Sequence, residues 1–179
     1  MVCVFGDGSG RDLDLSNGGT TVLVEVLTLA VAELAREPWH FRFAMLVATQ
    51  DQSIMGRGVV GFHLTEIDWG TTGAARGANQ RFVLDVIALA AARHRWRELR
   101  YDPPHAPAYL AAYAEIVRGF DPATARPDPE VFPGPDGGAV ASCARHRVLT
   151  AWPHWDGCVF CHRTQGLAGT LNRAPAPGW

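Results

Sequence analysis

The sequence predicts an α+β protein, with a small antiparallel sheet and about three packed helices, followed by a C-terminal module of the zinc knuckle or ribbon type. Apolar residues recur with helical spacing in three segments, and two other segments alternate between apolar and polar residues. Cysteines and a histidine cluster near the C-terminus. The chain has 179 residues, 47% of them hydrophobic, which is enough to form a core.

Three helices are predicted from the spacing of apolar residues. The first spans residues 21–36 and is closed by Pro38, and the third begins near Pro107, where proline suits the first helical turn. The second spans residues 79–96. Its apolar stripe consists of Phe82, Val83, Val86, Ile87 and Ala90.

Strands are predicted at residues 2–5, 40–49, 59–66 and 98–101. The segments 40–49 and 59–66 alternate between apolar and polar side chains and are separated by a short polar connection. This arrangement is typical of an antiparallel hairpin, so we expect these two strands to pair with each other.

Composition and charge divide the chain into an α+β domain (residues 1–120), a Pro/Gly-rich linker (121–140) and a zinc-binding module (141–179). Residues 1–140 contain 12 arginines and 17 acidic residues, a formal charge of −5, whereas residues 141–179 contain 4 arginines and one acidic residue, a charge of +3. The difference in sign supports a separate C-terminal module.

All 16 basic residues are arginine, as expected for a bacterial protein encoded by a GC-rich genome. The absence of lysine excludes Schiff-base chemistry and a phosphate-binding P-loop. No apolar stretch is long enough for a membrane span, and the N-terminus has no secretory signal pattern. We therefore expect a cytoplasmic protein, whose four cysteines remain reduced or bind metal.

The strongest motif is Cys143-x-x-His146 followed by Cys158-x-x-Cys161. Zinc prefers four thiolate or imidazole ligands in a tetrahedron, and a two-residue spacer lets one turn present a pair of them. A set of four protein ligands leaves no position for water, so the sequence predicts a structural Zn²⁺ rather than a catalytic one.

Two alternatives remain open for this motif. His154 or His162 could replace His146 as the fourth ligand because both lie close in sequence to the cysteines. The Cys-x-x-Cys pair could also hold free thiols or form a redox dithiol.

The glycine-rich loop from Gly6 to Asp14 contains the carboxylates of Asp7, Asp12 and Asp14. Such a loop could bind calcium through its oxygens or approach a phosphate. The alternative is an ordinary solvated loop.

A second candidate is the run of arginines that contains Arg93, Arg95, Arg97 and Arg100. The run could bind phosphate or nucleic acid, with Trp96 available to stack on bases. Alternatively, these cations simply lie near a helix C-terminus, where positive charge is favourable.

A third candidate depends on the predicted hairpin. If its register permits, His40, Arg42 and His63 would meet on the exposed faces, with Glu66 and Asp68 on the following loop. Such a group could perform acid–base chemistry of the hydrolase type. The alternative is scattered surface polar residues, and no residue is assigned as catalytic.

The C-terminal segment is rich in aromatic residues, namely Trp152, Trp155, Phe160 and Trp179. These residues could pack around the metal, or they could form a recognition surface together with the tail's arginines.

The sequence thus supports three functional hypotheses. The first is a non-enzymatic, zinc-containing protein that binds a macromolecular partner, with another protein as the preferred partner. The second is a nucleic-acid-binding protein that uses the basic zinc module and the Arg93–Arg100 run. The third is a hydrolase-type enzyme that uses His40, His63 and nearby carboxylates.

Overall fold

Helix α1 (Asn17–Leu34) lies at the centre of the fold. The structure is a computed structural model and describes residues 2–51, 61–138, 141–151 and 158–161. Within these ranges α1 packs against three further helices and a C-terminal strand. The further helices are α2 (Pro38–Thr49), α3 (Gly73–Ala91) and α4 (Ala106–Gly119).

Helix α1 begins at the cap residue Ser16, whose hydroxyl accepts a hydrogen bond from the Gly19 amide at 3.2 Å. Among the described residues it is the one helix long and apolar enough to cross a membrane, with 18 residues and a mean hydropathy of 1.2. However, 61% of it is buried inside the protein. A helix that is apolar on most faces is what a core surrounded by other helices requires, so α1 is accounted for as the core helix.

The prediction of a strand at residues 40–49 is wrong, because this segment belongs to α2. Pro38 occupies the first turn of α2, and the side chains of Glu37 and His40 form a capping box there. The apolar residues between Phe41 and Ala48 satisfy both a two-residue and a helical period. The buried positions Phe43, Leu46 and Val47 follow the helical one.

The sheet has the order β2-β1-β3, formed by β1 (Cys3–Gly6), β2 (Asp12–Leu15) and β3 (Gly61–His63). β1 pairs with β2 in an antiparallel manner and with β3 in a parallel manner. The predicted antiparallel sheet and the predicted hairpin are therefore wrong, since the sheet is mixed and β3 pairs with the first strand. The coarser prediction, a small sheet with several helices, is confirmed.

Gly61 allows β3 to approach β1. Its φ is +120°, and a Cβ atom at this position would lie 2.3 Å from the carbonyl oxygen of Val4. Only glycine fits such a backbone without strain.

The other two predicted helices are confirmed, although the ends of the first of them differ from the prediction. Helix α3 begins at the cap residue Thr72, earlier than predicted, and buries all five residues of the predicted stripe. Helix α4 has proline in its first turn, as predicted. The predicted strand at 98–101 is wrong, because residues Trp96–Leu99 form a 3-10 helix.

Residues 121–138 contain two short 3-10 helices and lie against the domain. The amide of Arg126 donates to the carbonyl of Thr65 at 2.7 Å. Phe132 is 2% exposed and lies between the ring of Trp39 and the guanidinium of Arg42. The division of the chain at residues 120 and 140 stays a prediction, but the described part of this segment contributes to the core.

The last strands, β4 (Ala141–Cys143) and β5 (Val148–Thr150), form an antiparallel hairpin. β5 packs against α1 and α2. Val148 is buried in the same hydrophobic cluster as the helices. The C-terminal hairpin therefore rests directly on the domain.

The packing of residues 121–138 predicts a large effect for Phe132→Ala. Removing this buried ring should lower the free energy of unfolding by about 3 kcal/mol, because it leaves a cavity against α2. Urea unfolding followed by tryptophan fluorescence measures this change. The exposed residue Glu130 provides the control, and Glu130→Ala should stay within about 0.5 kcal/mol of the wild type. Equal effects of the two substitutions would contradict the packing described.

Candidate metal centre

Four side chains from two short segments converge at the C-terminal hairpin. Cys143 ends β4, and His146 lies in the turn between β4 and β5. Cys158 and Cys161 bracket a single helical turn. The ligand atoms of the four residues all lie within 4.8 Å of one another. The structure thus brings together the residues that the spacing indicated, in a group that can hold a metal ion.

Each pair of ligands is held by a tight backbone turn. The Arg147 amide donates to the Cys143 carbonyl at 2.7 Å, and the Cys161 amide donates to the Cys158 carbonyl at 2.8 Å. These bonds curl the chain so that the two side chains of each pair point to one side. This is the local geometry that a two-residue spacer allows.

The distances within the cluster suit a tetrahedral metal site. Nδ1 of His146 lies 3.3 Å from Sγ of Cys161, 3.4 Å from Sγ of Cys158 and 3.9 Å from Sγ of Cys143. Sγ of Cys143 and Sγ of Cys161 are 3.8 Å apart. Zn–S bonds of about 2.3 Å and a Zn–N bond of about 2.0 Å in a tetrahedron separate neighbouring ligand atoms by about 3.5–3.8 Å. A disulfide requires about 2.0 Å between sulfurs, so Cys143 and Cys161 are not joined by one.

Burial determines the charge state of two of these ligands. It lowers the pKa of His146, and the charge of Arg145 lowers it further. The neutral imidazole that a metal requires is therefore favoured. Burial also raises the pKa of Cys158 to about 12, so this thiol is protonated at neutral pH unless a cation lies close to it.

Arg95 joins the cluster to the domain. Its guanidinium donates to both carboxylate oxygens of Glu98, at 2.9 and 2.7 Å. It also donates to the carbonyl of His146 at 2.6 Å and to that of Arg147 at 3.4 Å. The Arg95 side chain is only 11% exposed. We call this set of bonds the Arg95 clamp, and it fixes the ligand turn against the segment that follows α3.

Apolar packing reinforces the Arg95 clamp. Phe160 is 5% exposed, and its ring centroid lies 5.6 Å from that of His146. Cys158 and Phe160 belong to the same hydrophobic cluster as α1 to α4. The cluster of three cysteines and one histidine is therefore held against the domain both by charge-assisted hydrogen bonds and by buried apolar surface.

The arginines near the cluster have an unusual backbone. Among the described residues, the non-glycine residues with positive φ are Arg93, Arg95, Arg100 and Arg147, at 61°, 58°, 62° and 49°. This left-handed region costs a residue with a Cβ about 1 kcal/mol. Glycine or asparagine would be the usual occupant. Sequence reasoning did not identify this feature, since nothing in the composition of the run signals it.

The arginine run is divided between two roles. Arg95 lies in the Arg95 clamp, whereas Arg93, Arg97 and Arg100 are exposed. Trp96 is 7% exposed, and the Arg93 guanidinium lies 5.3 Å from its ring centroid. The prediction that Trp96 is available to stack on bases is therefore wrong.

His40 is engaged at the start of α2 and against α3. Its Nδ1 accepts hydrogen bonds from the amides of Arg36 and Glu37, both at 3.2 Å. Its ring stacks on Phe82 with centroids 3.6 Å apart. Burial lowers the pKa of His40. This histidine closes the start of α2, and its contacts account for its position without catalysis.

His63 has a different set of neighbours. Its Nδ1 lies 3.8 Å from a carboxylate oxygen of Asp12, and its amide donates to Glu66 at 2.6 Å. Arg42 pairs instead with Asp68 at 3.0 Å. Because residues 40–49 form a helix, the hairpin that was expected to bring His40 and His63 together does not exist.

The Gly6–Asp14 loop satisfies its buried carboxylate internally. Asp7 is 2% exposed and accepts hydrogen bonds from the amide and hydroxyl of Ser9, both at 2.8 Å, and from Arg11 Nε at 2.5 Å. Burial raises the pKa of Asp7, but these hydrogen bonds outweigh burial and lower the pKa to about 2. The loop borders an open cleft of about 570 Å³ that Arg126 also lines. Asp7 is thus committed to Ser9 and Arg11 rather than directed at a ligand.

The remaining candidates lie outside the described residues. They are the alternative ligands His154 and His162 and the tryptophans Trp152, Trp155 and Trp179. His146 is the histidine that the described structure brings to the three cysteines.

The chain matches no protein-family model, and comparison with curated proteins and with solved structures found no similar chain. Functional conclusions therefore depend on the chemistry of the site and of the surface around it.

The internal hydrogen bonds of Asp7 predict a pH dependence. The folded pKa of about 2 lies below the ordinary value of 3.8. The stability that Asp7 contributes is therefore fully present above pH 3.8 and is lost as the pH falls towards 2. Asp7→Asn should flatten the decrease in unfolding temperature across this range, as measured by circular dichroism. The exposed control, Asp136→Asn, should keep the wild-type slope. An unchanged slope in Asp7→Asn would contradict this assignment.

The Arg95 clamp predicts that Arg95→Lys is not conservative. Lysine keeps the charge but cannot bond Glu98 in a bidentate manner while also reaching the turn carbonyls. The free energy of unfolding should fall by about 2 kcal/mol, and hydrogen exchange of the β4–β5 amides should accelerate. The exposed residue Arg97 is the matched control, and Arg97→Lys should change neither quantity. If both variants behave alike, the Arg95 clamp does not hold the hairpin.

Proposed function

We propose that Cys143, His146, Cys158 and Cys161 hold one structural zinc ion. Three thiols and one imidazole form a donor set that favours zinc over harder cations. The proposal is supported by inter-ligand distances of 3.3–3.9 Å, close to the edges of a zinc tetrahedron. With four protein ligands, no coordination position remains for water or substrate.

The function that follows is binding of a macromolecular partner without catalysis at the metal. The observation that carries this proposal is the closed four-ligand cluster fixed to the domain by the Arg95 clamp. A metal in such a position shapes a surface and activates no water. The thiol ligands suit a reducing compartment such as the cytoplasm.

A catalytic alternative has less support. It required His40 and His63 to share a cleft with nearby carboxylates. His40 instead caps α2 and stacks on Phe82, while His63 lies beside Asp12. The two imidazoles therefore have separate neighbours, which favours the binding function.

The metal content of the purified full chain tests the first part of the proposal. We expect about one zinc per chain in the wild type and almost none in Cys161→Ser, since three ligands bind zinc far more weakly than four. Cobalt substitution should give the absorption of a tetrahedral thiolate site. Cys3→Ser is the control, because Cys3 is buried in the domain core and lies outside the cluster. Metal-free wild-type protein with four reactive thiols would contradict the zinc assignment.

The same pair of proteins tests the second part. Zinc-loaded wild type and Cys161→Ser are immobilised and exposed to cell lysate, with and without nuclease, and the retained molecules are identified. A defined partner that is retained by the wild type but not by the variant supports a zinc-dependent binding function. An identical set on both proteins, or turnover of a small substrate that the variant retains in full, would contradict it.

A further inference from the structure

Exposed arginines from two distant parts of the chain meet beside the metal cluster. Arg93, Arg97 and Arg100 follow α3, whereas Arg145 and Arg147 belong to the ligand turn, and all five are exposed. The two segments touch through the Arg95 clamp, where the Arg95 guanidinium bonds the carbonyls of His146 and Arg147.

Arginines from both segments lie near the carboxylate of Glu98. The hydrogen bonds from Arg95 lower the pKa of Glu98, and the charges of Arg147 and Arg97 lower it further. Arginines from both segments therefore lie within electrostatic range of the same carboxylate. Glu98 is already engaged by Arg95 at 2.7 Å, so it is not available to neutralise the others.

The five exposed guanidinium groups, which we call the arginine face, have no carboxylate partner in the described ranges. The ion pairs formed within residues 2–51, 61–138, 141–151 and 158–161 involve other arginines and histidines. The domain as a whole is acidic, so its overall charge does not explain this local concentration of unpaired positive charge. Such a face attracts an anionic partner.

The backbone of the arginine face indicates that the side chains themselves matter. Arg93, Arg100 and Arg147 have the left-handed backbone that glycine would adopt without strain. Residues held in such conformations cluster at binding and active sites. The presence of arginine, rather than glycine, at three left-handed positions in the two segments that meet at the Arg95 clamp favours a role for the guanidinium groups in recognition.

The described surface favours phosphate over an apolar protein interface. Protein interfaces depend on buried aromatic or aliphatic anchors. In the part of the chain that the structure describes, the exposed large hydrophobic residue is Val2, in the N-terminal strand segment, and Trp96 is buried. Guanidinium groups bond phosphate oxygens in a bidentate manner.

We propose that the arginine face binds the phosphate backbone of nucleic acid without sequence specificity. The inference rests on the proposed binding function and names the partner. It also rests on the ligand turn, because Arg145 and Arg147 reach the face only when that turn is docked by the Arg95 clamp. Since Trp96 is buried, recognition should depend on phosphates rather than on stacked bases.

The test is fluorescence anisotropy with a labelled 20-base-pair DNA duplex of random sequence and the zinc-loaded full chain. Between 50 and 200 mM salt the affinity should fall roughly 40- to 500-fold, as expected for three to five phosphate contacts. Absence of binding at 50 mM salt, or an affinity independent of salt, would overturn the inference.

The double variant Arg93→Gly/Arg100→Gly separates binding from folding. Glycine relieves the left-handed strain at both positions, which offsets the loss of the contact between Arg93 and Trp96, so the unfolding temperature should stay close to the wild-type value. The affinity for the duplex should nevertheless fall about tenfold or more at 50 mM salt, and the salt dependence should become shallower by about two contacts. A variant that folds well and binds as the wild type does would overturn the inference.

The charge-matched control is Arg81→Ala/Arg118→Ala. Both arginines are exposed, Arg81 in the middle of α3 and Arg118 in the last turn of α4, and neither belongs to the two segments that form the arginine face. This control should bind the duplex as the wild type does. An equal loss in both double variants would mean that net charge alone drives binding, and would overturn the assignment to the arginine face.

Poly-L-glutamate of matched charge distinguishes a protein partner from nucleic acid. Failure to compete with the duplex supports phosphate recognition, whereas competition at equal affinity would assign the face to an acidic protein and overturn the inference. Absence of duplex binding, or competition by poly-L-glutamate at equal affinity, would leave the zinc content and the zinc-dependent capture unaffected. Failure of this inference is therefore distinguishable from failure of the proposed function.

Discussion

The contact between Arg95 and the carbonyls of His146 and Arg147 is the interaction on which the arrangement of the C-terminal part depends. A single guanidinium satisfies two carbonyls of a tight turn and is itself oriented by Glu98. Three consequences follow from this one side chain. The ligand turn acquires a fixed position, the hairpin covers α1 and α2 with β5, and arginines from both segments lie within electrostatic range of Glu98. A neutral donor at this position could satisfy a carbonyl, but it would not pair with the carboxylate that orients it.

A metal ion at the Cys/His cluster and apolar packing would supply complementary parts of this arrangement. The ligand segments are too short to form a core of their own, so a metal ion would hold their shape. Phe160 and Val148 then connect that shape to the domain by ordinary burial. The net negative charge of residues 1–140 and the net positive charge of residues 141–179 also attract one another over longer distances, although such attraction is weak and screened by salt. Specific positioning therefore comes from the Arg95 clamp and the buried residues rather than from net charge.

The features that the sequence could predict are those that depend on the spacing of residues close together in the chain. Helices α1, α3 and α4 follow from the recurrence of apolar residues, and Cys143, Cys158 and Cys161 follow from two-residue spacers. The strand predicted at residues 40–49 was wrong because its apolar positions fit a strand and a helix equally. The helix is favoured by the capping box of Glu37 and His40, by Pro38 in the first turn and by packing. The partner of β3 was missed because parallel pairing with β1 joins residues more than fifty positions apart. The Arg95 clamp could not be predicted for the same reason, since its partner carbonyls lie 51 and 52 residues away. In addition, every residue has a backbone carbonyl, so residue types do not indicate which carbonyl accepts the bond.

The order of strands in the sheet has a consequence for synthesis of the chain. β1 occupies the centre, with β2 on one side and β3 on the other. On the ribosome the β1–β2 hairpin emerges early, whereas the backbone groups on the other edge of β1 must wait until Gly61, Phe62 and His63 follow. During that interval α1 is also exposed and has not yet met α3 or α4. An open strand edge beside an apolar helix is a site for association between nascent chains. Synthesis of residues 61–63 is therefore the step that completes the pairing of β1, whereas α1 stays uncovered until α3 and α4 have followed.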